Sequence, residues 1–420
     1  MEFHYHPSDE IRGMESDSLN GKKLVLGVTG SVAIYKAVDL ARELIKRSAD
    51  VYVVMSKDAT KLVDPQLFEW ATGNKVFTEF SGEVGHVVLS RTCDGMVIAP
   101  ATANTIAKLA IGVADTSVSL TALNFIGLRK PLVIAPAMHL AMYRAPQISE
   151  AISKLRSYGV MILEPQEDDV RAKFPEVDDI ALAVEVAVLR GTDLRGVRVL
   201  VTAGPTREFL DPVRFLTNAS SGRMGIAIAK EAYFRGADVT LIHGPIDRTL
   251  IPKYVRSLNV TTTTEMLNAV VNELKNKHNK HYDVVILAGA PSDFKFKDVS
   301  KMKIDSSIES LEVTLQPTPK IAEEIKKIYN GLVVGFAAET VGGDVNTLRD
   351  RAKRKLVERG FNIIVANDVS SSEVGFNSMF NEVLILGSNG FEKFIPKTRK
   401  ELIAREILDI IKKLLRVNKT

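Results

Sequence analysis

The sequence predicts two α/β domains in tandem, each a parallel sheet with helices on its faces. Three observations lead there. Short β-rich apolar runs alternate with stretches of helical periodicity along most of the chain, and glycine-rich turns join strand to helix near residues 27–31 and again near 203–225. The second half also repeats the outline of the first. A length of 420 residues accommodates two to three domains at roughly 150 residues each.

The elements follow in order. Residues 1–20 are polar and irregular, which predicts a surface extension rather than a core element. Lys22-Lys-Leu-Val-Leu-Gly-Val28 is a strand, Thr29-Gly30-Ser31 is turn chemistry, and Val32 to Arg47 carries apolar residues at helical spacing before a strand at Val51–Met55. This is a βαβ unit. Further buried-strand candidates stand at Gly95–Ala99, Pro131–Ala135 and Val160–Leu163. The helical pattern from Asp178 to Arg190 stops near Asp193-Leu-Arg-Gly196, and a new strand begins at Val197–Thr202, which sets the first domain at 21–192 and the second at 193–420. There the chain runs through Ala203-Gly-Pro-Thr206 and a long loop to Ser220-Ser-Gly-Arg-Met-Gly225 and a helix ending near Phe234. Gly236-Ala-Asp-Val-Thr-Leu-Ile242 then echoes Ser48-Ala-Asp-Val-Tyr-Val-Val54. Later strands are predicted at Val284–Ala288, Leu332–Phe336 and Ile363–Ala366. Asp298 to Ser310, rich in Lys and Ser, reads as an exposed, mobile loop, and an amphipathic helix closes the chain over Thr398 to Leu415.

Composition narrows the function. A chain that is 45% hydrophobic and 25% charged is an ordinary globular one, and a formal charge of +4 is too small to point to nucleic acid. The single cysteine, Cys93, removes a disulfide framework and any Cys-based zinc site. No signal pattern opens the sequence, and no apolar run reaches the ~18 residues of a membrane span, so the expectation is a cytoplasmic protein.

Two segments of the first domain carry chemistry. A glycine-rich strand-to-helix turn such as Gly27-Val-Thr-Gly30-Ser31 turns several N–H groups and a helix dipole toward one point, which suits a phosphate, although Ser31 as a plain helix cap explains it as well. It is not the G-x-G-x-x-G fingerprint. Pro100-Ala-Thr-Ala-Asn-Thr-Ile-Ala-Lys108 follows a buried strand directly, placing Thr102, Asn104 and Thr105 at the carboxyl edge of the sheet, where α/β proteins bind ligands. Pro136-Ala-Met-His-Leu-Ala-Met-Tyr143 follows another.

With Gly85-His86, these segments resemble the homo-oligomeric flavin-containing cysteine decarboxylases. The resemblance implies a flavodoxin/Rossmann-like flavin-binding domain in which Gly30, Ser31, Ser56, Thr102, Asn104 and Thr105 hold FMN, His86 is catalytic, and Met138, His139 and Met142 grip the substrate's carboxylate and phosphopantothenoyl arm. His139 stands where the family has Asn; both donate a hydrogen bond. Bacterial relatives carry a flap cysteine that protonates the intermediate, and no cysteine follows Cys93 here. The corresponding flap is Glu164 to Pro175, with Lys173 as the substitute proton donor. Alone, His86 reads as a helix-start cap and Lys173 as a solvated loop lysine.

The second domain has a longer signature. Thr202-Ala-Gly-Pro-Thr-Arg-Glu-Phe-Leu-Asp-Pro-Val-Arg214 followed by Asn218-Ala-Ser-Ser-Gly-Arg-Met-Gly225 resembles the phosphopantothenate–cysteine ligases, and the likeness continues through Ala288 to Phe294, Lys301-Met-Lys303, Gly335 to Thr340, Lys355, Ala366 to Val369, Gly375-Phe376 and Asn381. It implies a second Rossmann-like α/β ligase domain enclosing CTP. Gly289, Ala290 and Asp293 would contact the nucleotide and acyl substrate, Asp293 would also hold Mg2+, and Phe336 would pack near the base. Lys301, Lys355 and Arg359 would supply positive charge, with Lys301 and Asn218 in catalytic roles. Each lysine alone is a solvated surface charge. The likeness spans residues from about 22 to 415, in the decarboxylase-then-ligase order of bifunctional coenzyme A biosynthesis enzymes, in an archaeal-like variant without the flap cysteine. The implied reactants are 4'-phosphopantothenate, cysteine and CTP, with no nucleic acid or membrane partner. The implied assembly is a homo-oligomer of flavin-domain trimers and ligase-domain dimers, up to a dodecamer. A prenyltransferase-like flavoprotein and a non-catalytic flavin-binding regulatory subunit share the first fold; the ligase half opposes the former, and His86 with the ligase motifs opposes the latter.

Overall fold

A computed structural model describes residues 6–79, 84–276, 281–370 and 378–417, with side chains to residue 415. Gly375-Phe376 lies outside the described residues. The chain divides into two compact units, Met1–Thr192 and Asp193–Thr420.

In the first unit, strand β1 (Lys23–Val28) leads through a single 3-10 turn, Val32–Ile34, into helix α1 (Tyr35–Lys46), then β2 (Asp50–Met55), α2 (Lys57–Thr60), α3 (Pro65–Thr72) and β3 (Val76–Phe77). The crossovers continue with α4 (Gly85–Thr92), β4 (Gly95–Ala101), α5 (Ala103–Ile111), α6 (Ser117–Gly127), β5 (Leu132–Pro136), β6 (Met138–His139), α7 (Leu140–Tyr143), α8 (Pro146–Ser157) and β7 (Met161–Ile162). The flap forms β8 (Gln166–Glu167) and β9 (Arg171–Lys173), and α9 (Val177–Leu189) closes the unit. Six strands pair in parallel in the order β3-β2-β1-β4-β5-β7, a doubly wound sheet of the expected flavodoxin/Rossmann-like class. β1, β4 and β5 read as near-continuous apolar runs because helices cover both faces of a parallel sheet and leave no solvent side.

The expectation of an irregular surface extension is corrected for residues 6–20. Pro7–Ile11 form a 3-10 helix, and Leu19 is fully buried. The N–H groups of Gly13, Glu15 and Leu19 reach the carbonyls of Ile45, Lys46 and Arg47, and Arg12 donates to the Ala49 carbonyl at 2.9 Å. The segment satisfies the open carbonyls at the end of α1, a role that backbone groups perform whatever the side chains are.

The second unit repeats the plan: β10 (Arg198–Ala203), the hairpin β11 (Arg207–Phe209) and β12 (Phe215–Thr217), α10 (Arg223–Phe234), β13 (Asp238–His243), β14 (Arg256–Asn259), α11 (Thr263–Lys275) and β15 (Val284–Leu287). There follow the small pair β16 (Phe294–Phe296) and β17 (Leu315–Pro317), α12 (Ile321–Lys326), β18 (Leu332–Glu339), α13 (Val345–Arg359), β19 (Ile363–Asp368), β20 (Phe380–Gly387), β21 (Glu392–Arg399) and α14 (Lys400–Val417). The sheet order is β14-β13-β10-β15-β18-β19-β20-β21, parallel through β19 and antiparallel over the last two strands. Those two strands were not read from the sequence: β21 is exposed and mostly polar, like a loop, and β20 is an apolar run that the sequence reading left unassigned. Packing at the first helix demands glycine. A Cβ at Gly225 would stand 2.6 Å from the Ala203 side chain, so α10 lies directly on β10.

Candidate functional site

In a doubly wound sheet, ligands sit at the carboxyl ends of the strands where the order reverses, which here means β1/β4 in the first unit and β10/β15 in the second. The predicted flavin-binding residues Ser31 and Thr102 to Thr105 follow strands at the first point, and the predicted ligase residues Gly289, Ala290 and Asp293 follow β15 at the second.

At the first, Ser31 follows β1, Ser56 follows β2, and Thr102 to Thr105 follow β4. Ser31 accepts from the N–H of Ala33, Ser56 from Ala59 and Thr102 from Thr105, so three helical starts present their N-terminal dipole ends to one edge. The loops are tied together. Thr29 donates to the Pro100 carbonyl at 2.7 Å and accepts from the Thr102 N–H, while Ser31 donates to the Ala137 carbonyl at 3.3 Å. Gly30 is required by close approach, since a Cβ there would meet the Asp58 side chain at 2.7 Å. This donor set, neutral hydroxyls and amides at helix starts, fits the phosphate and polar rim of a flavin mononucleotide. Asn104 lies in the first turn of α5.

His86 is half-buried at the second position of α4. Because α4 ends two residues before β4 begins, its start lies toward the carboxyl edge, the same edge as the hydroxyl caps. Met138 and His139 form β6 after β5, and β6 pairs with the flap strand β9, Met138 opposite Ala172 and His139 opposite Arg171. The flap therefore lies beside the segment predicted to grip the substrate. His139 and Met142 are exposed. Lys173 is exposed and ion-paired with Asp168 at 2.8 Å. That contact, with the N–H groups of Val170 and Arg171, holds the Asp168 carboxyl well below the usual range. Tyr143 donates to Glu164 at 3.0 Å, and burial together with that carboxylate pushes its hydroxyl up. Burial also raises the Cys93 thiol to about 11, so Cys93 stays a protonated packing residue.

In the second unit a cleft of about 270 Å³ brings together Asn218, Gly289, Ala290, Asp293, Phe336, Lys355 and Arg359. Asn218 donates through Nδ2 to the carbonyls of Ala290 and Pro291, at 3.2 and 3.0 Å, fixing the turn that follows β15. Lys355 and Arg359 stand one turn apart on α13, and Lys355 pairs with Glu339 at 2.5 Å. Asp293 pairs with Lys320, so a metal there would have to displace that ammonium. Among the described residues no cluster of three His, Cys, Asp or Glu could hold a metal ion by itself. Lys301 is not brought to this cleft. It lies on the exposed 298–310 segment, which is tied down where the Ile304 N–H reaches Asp211 at 3.1 Å and the Ser300 N–H reaches Leu210. Arg214 is likewise committed, to Asp211 and to the Ile304 carbonyl.

Sequence reasoning missed Lys400. It is buried at the first turn of α14, lines the cleft and donates to the Ser378 carbonyl at 2.6 Å; burial, helped by Arg223, pushes its ammonium down to about 8. No local motif marks it, because its environment comes from segments far away in sequence.

Over 411 residues the chain is 43% identical to the Coenzyme A biosynthesis bifunctional protein CoaBC of Thermococcus kodakarensis, covering 96% of this chain and 98% of that protein. The chain belongs to this family. It is 35% identical to the CoaBC protein of Methanocaldococcus jannaschii over 98% of both chains. The flavoprotein family matches residues 12–188, and the DNA/pantothenate metabolism flavoprotein C-terminal domain matches residues 194–415. A crystal structure of the C-terminal domain of a CoaBC protein covers 54% of this chain and 98% of its own at 36% identity, with a TM-score of 0.44. The chain is thus a bifunctional enzyme of coenzyme A biosynthesis, with a phosphopantothenoylcysteine decarboxylase in its flavoprotein half and a phosphopantothenate–cysteine ligase in its C-terminal half. Among the described residues no helix is long and apolar enough to cross a membrane.

Proposed function

We propose that the C-terminal unit joins 4'-phosphopantothenate to cysteine at the expense of CTP through an acyl-cytidylate, and that the N-terminal unit decarboxylates the product to 4'-phosphopantetheine with FMN. The observation that carries this reading is the convergence of Asn218, Gly289 to Asp293, Phe336, Lys355 and Arg359 on one cleft at the sheet's reversal point.

In the ligase, Asn218 holds the Ala290–Pro291 turn in the shape that meets the acyl group, while Phe336 offers an apolar face to the base. Lys355 and Arg359 place positive charge beside the phosphates, and Asp293 serves the Mg2+ that accompanies CTP. Lys301 acts only when its loop moves in over the nucleotide. The substrate carboxylate attacks the α-phosphorus, pyrophosphate leaves, and cysteine's amine displaces CMP.

In the decarboxylase, Ser31, Ser56, Thr102, Asn104 and Thr105, with the backbone at Gly30, hold FMN. Bound there, FMN would accept an electron pair from the cysteinyl thiol, whose oxidised thioaldehyde form is the electron sink for loss of CO2, and would return the pair afterwards. His86 moves the proton at the reacting cysteinyl group, His139 and Met138 orient the carboxylate, Met142 packs on the substrate arm, and Lys173 delivers a proton from the flap. Val32 and Tyr35, which follow Ser31, are 85% and 64% exposed, an apolar surface in keeping with flavin-domain trimers, joined through ligase dimers into a larger homo-oligomer. Both activities are assigned to the cytoplasm.

The purified chain is expected to be yellow with bound FMN and to release pyrophosphate from CTP only when 4'-phosphopantothenate is present. A colourless protein that takes up no FMN overturns the first half of the reading, and pyrophosphate release indifferent to 4'-phosphopantothenate overturns the second.

A further inference from the structure

The flap and the segment after β5 form one small antiparallel sheet in the order β6-β9-β8. Its register decides which side chains share a face. Ala172 stands opposite Met138 and is buried, whereas Arg171 stands opposite His139 and both are exposed. Residues directly opposite in an antiparallel pair hold their Cβ atoms roughly 4.5–5.5 Å apart, so Arg171 and His139 rise from the sheet side by side. Lys173, two residues along β9, belongs to the same face.

The backbone beneath Arg171 is fixed. Its N–H donates to Asp168 Oδ1 at 2.6 Å, the Leu140 N–H reaches the Val170 carbonyl, and Ala172 and Phe174 are buried. Its charge is only partly matched. Arg171 through Nε, at 3.4 Å, and Lys173, at 2.8 Å, share the one oxygen Oδ2 of Asp168. Glu164 and Glu167 are taken by Arg156 and Arg144, and Asp169 forms no ion pair among the described residues. Among those residues the two terminal nitrogens of Arg171 meet no acceptor. A guanidinium with its fork open in this way matches a carboxylate bidentately. The face also stands at the reacting end of the site. Ser31 donates to the Ala137 carbonyl and the Ala137 N–H reaches the Ala101 carbonyl, so β6 starts between the two loops assigned to FMN.

We propose that Arg171 is a substrate-discriminating residue of the decarboxylase: its guanidinium, beside His139, binds the cysteinyl carboxylate that the reaction removes, so the flap holds substrate more tightly than product. The inference rests on the decarboxylase reading above. When the bond between the carboxyl carbon and Cα breaks, its electron pair stays on the cysteinyl fragment, CO2 leaves without charge, and the guanidinium loses its partner. A grip on charge that disappears during the reaction serves binding and release rather than the chemical step.

The test uses the full FMN-loaded chain in the His86→Asn background, where 4'-phosphopantothenoylcysteine stays intact, with and without Arg171→Met. The Arg171 side chain is 66% exposed, so melting and FMN content are expected to match the parent. Calorimetry gives the Kd for 4'-phosphopantothenoylcysteine and for 4'-phosphopantetheine, which differ only in the carboxylate. The expected result is a tenfold or greater weakening for the first and a change within twofold for the second. Equal weakening of both puts the guanidinium on a part common to the two molecules, such as the phosphate, and overturns the proposal. Constants both within twofold of the parent overturn it as well. A parent that holds FMN but binds neither molecule sinks the decarboxylase reading instead, which keeps the two failures apart.

Discussion

Changing Asn218 to Asp separates the two half-reactions of the ligase. Nδ2 makes two hydrogen bonds, at 3.2 and 3.0 Å, to the carbonyls of Ala290 and Pro291. A carboxylate oxygen in its place cannot donate, so both bonds are lost and two acceptors face an anion. Two neutral hydrogen bonds are worth about 2 kcal/mol together, which corresponds to roughly 30-fold if the whole loss falls on one step. On the proposed function that step is the attack of cysteine on the acyl group, because the turn would meet the acyl end of the intermediate and the new charge would stand beside its phosphate. A single-turnover assay with labelled CTP, run first without cysteine and then chased with it, reads both steps. The expected result is acyl-cytidylate formation near the wild-type rate and consumption slowed by about 30-fold. Consumption at the wild-type rate would refute the role given to Asn218.

Three further outcomes are expected. His86→Asn leaves ligation intact and accumulates 4'-phosphopantothenoylcysteine; normal 4'-phosphopantetheine production, followed by mass spectrometry, removes His86 from the mechanism. Lys173→Gln loads FMN normally and slows decarboxylation, and turnover unchanged across pH shows that the proton comes from elsewhere. Lys400→Met bears on pH as well as binding. The folded lysine loses its proton near pH 8 and the unfolded one near 10.5, so this group binds more protons in the unfolded chain in between and its contribution to stability rises with pH across that window. Below pH 8 the buried charge destabilises in full. The variant is therefore expected to melt higher than wild type at pH 7, with the gain fading toward pH 10, while its KM for CTP increases; a melting difference independent of pH contradicts this account of Lys400.

Legibility in the sequence followed the range of the interactions involved. The strands that were read were plain because a parallel sheet covered on both faces demands unbroken apolar runs such as Leu24 to Val28 and Met96 to Ala99, and their ends shifted by no more than three residues. The cap residues Ser31 and Thr102 were legible because capping is local. Residues 6–20 were misread since their burial depends on carbonyls at the end of α1, which no side-chain pattern announces. Lys400 was invisible for the same reason: its neighbours Ser378 and Arg223 come from other elements. Lys301 illustrates the converse. A motif places it in the ligase, yet Asp211 anchors its loop away from the cleft, accepting from the N–H groups of Val213, Arg214 and Ile304. Burial alone would raise the Asp211 carboxyl, but those donors and the Arg214 guanidinium outweigh it and hold it well below the usual range.

The central claim is that one chain carries two consecutive reactions. Purified protein loaded with FMN is incubated with 4'-phosphopantothenate, cysteine and Mg-CTP, and the products are resolved by mass. The account predicts CMP, pyrophosphate and 4'-phosphopantetheine, with 4'-phosphopantothenoylcysteine appearing first and then declining. Unchanged 4'-phosphopantothenate, or 4'-phosphopantothenoylcysteine that accumulates without loss of CO2 in the FMN-loaded wild-type enzyme, would contradict it.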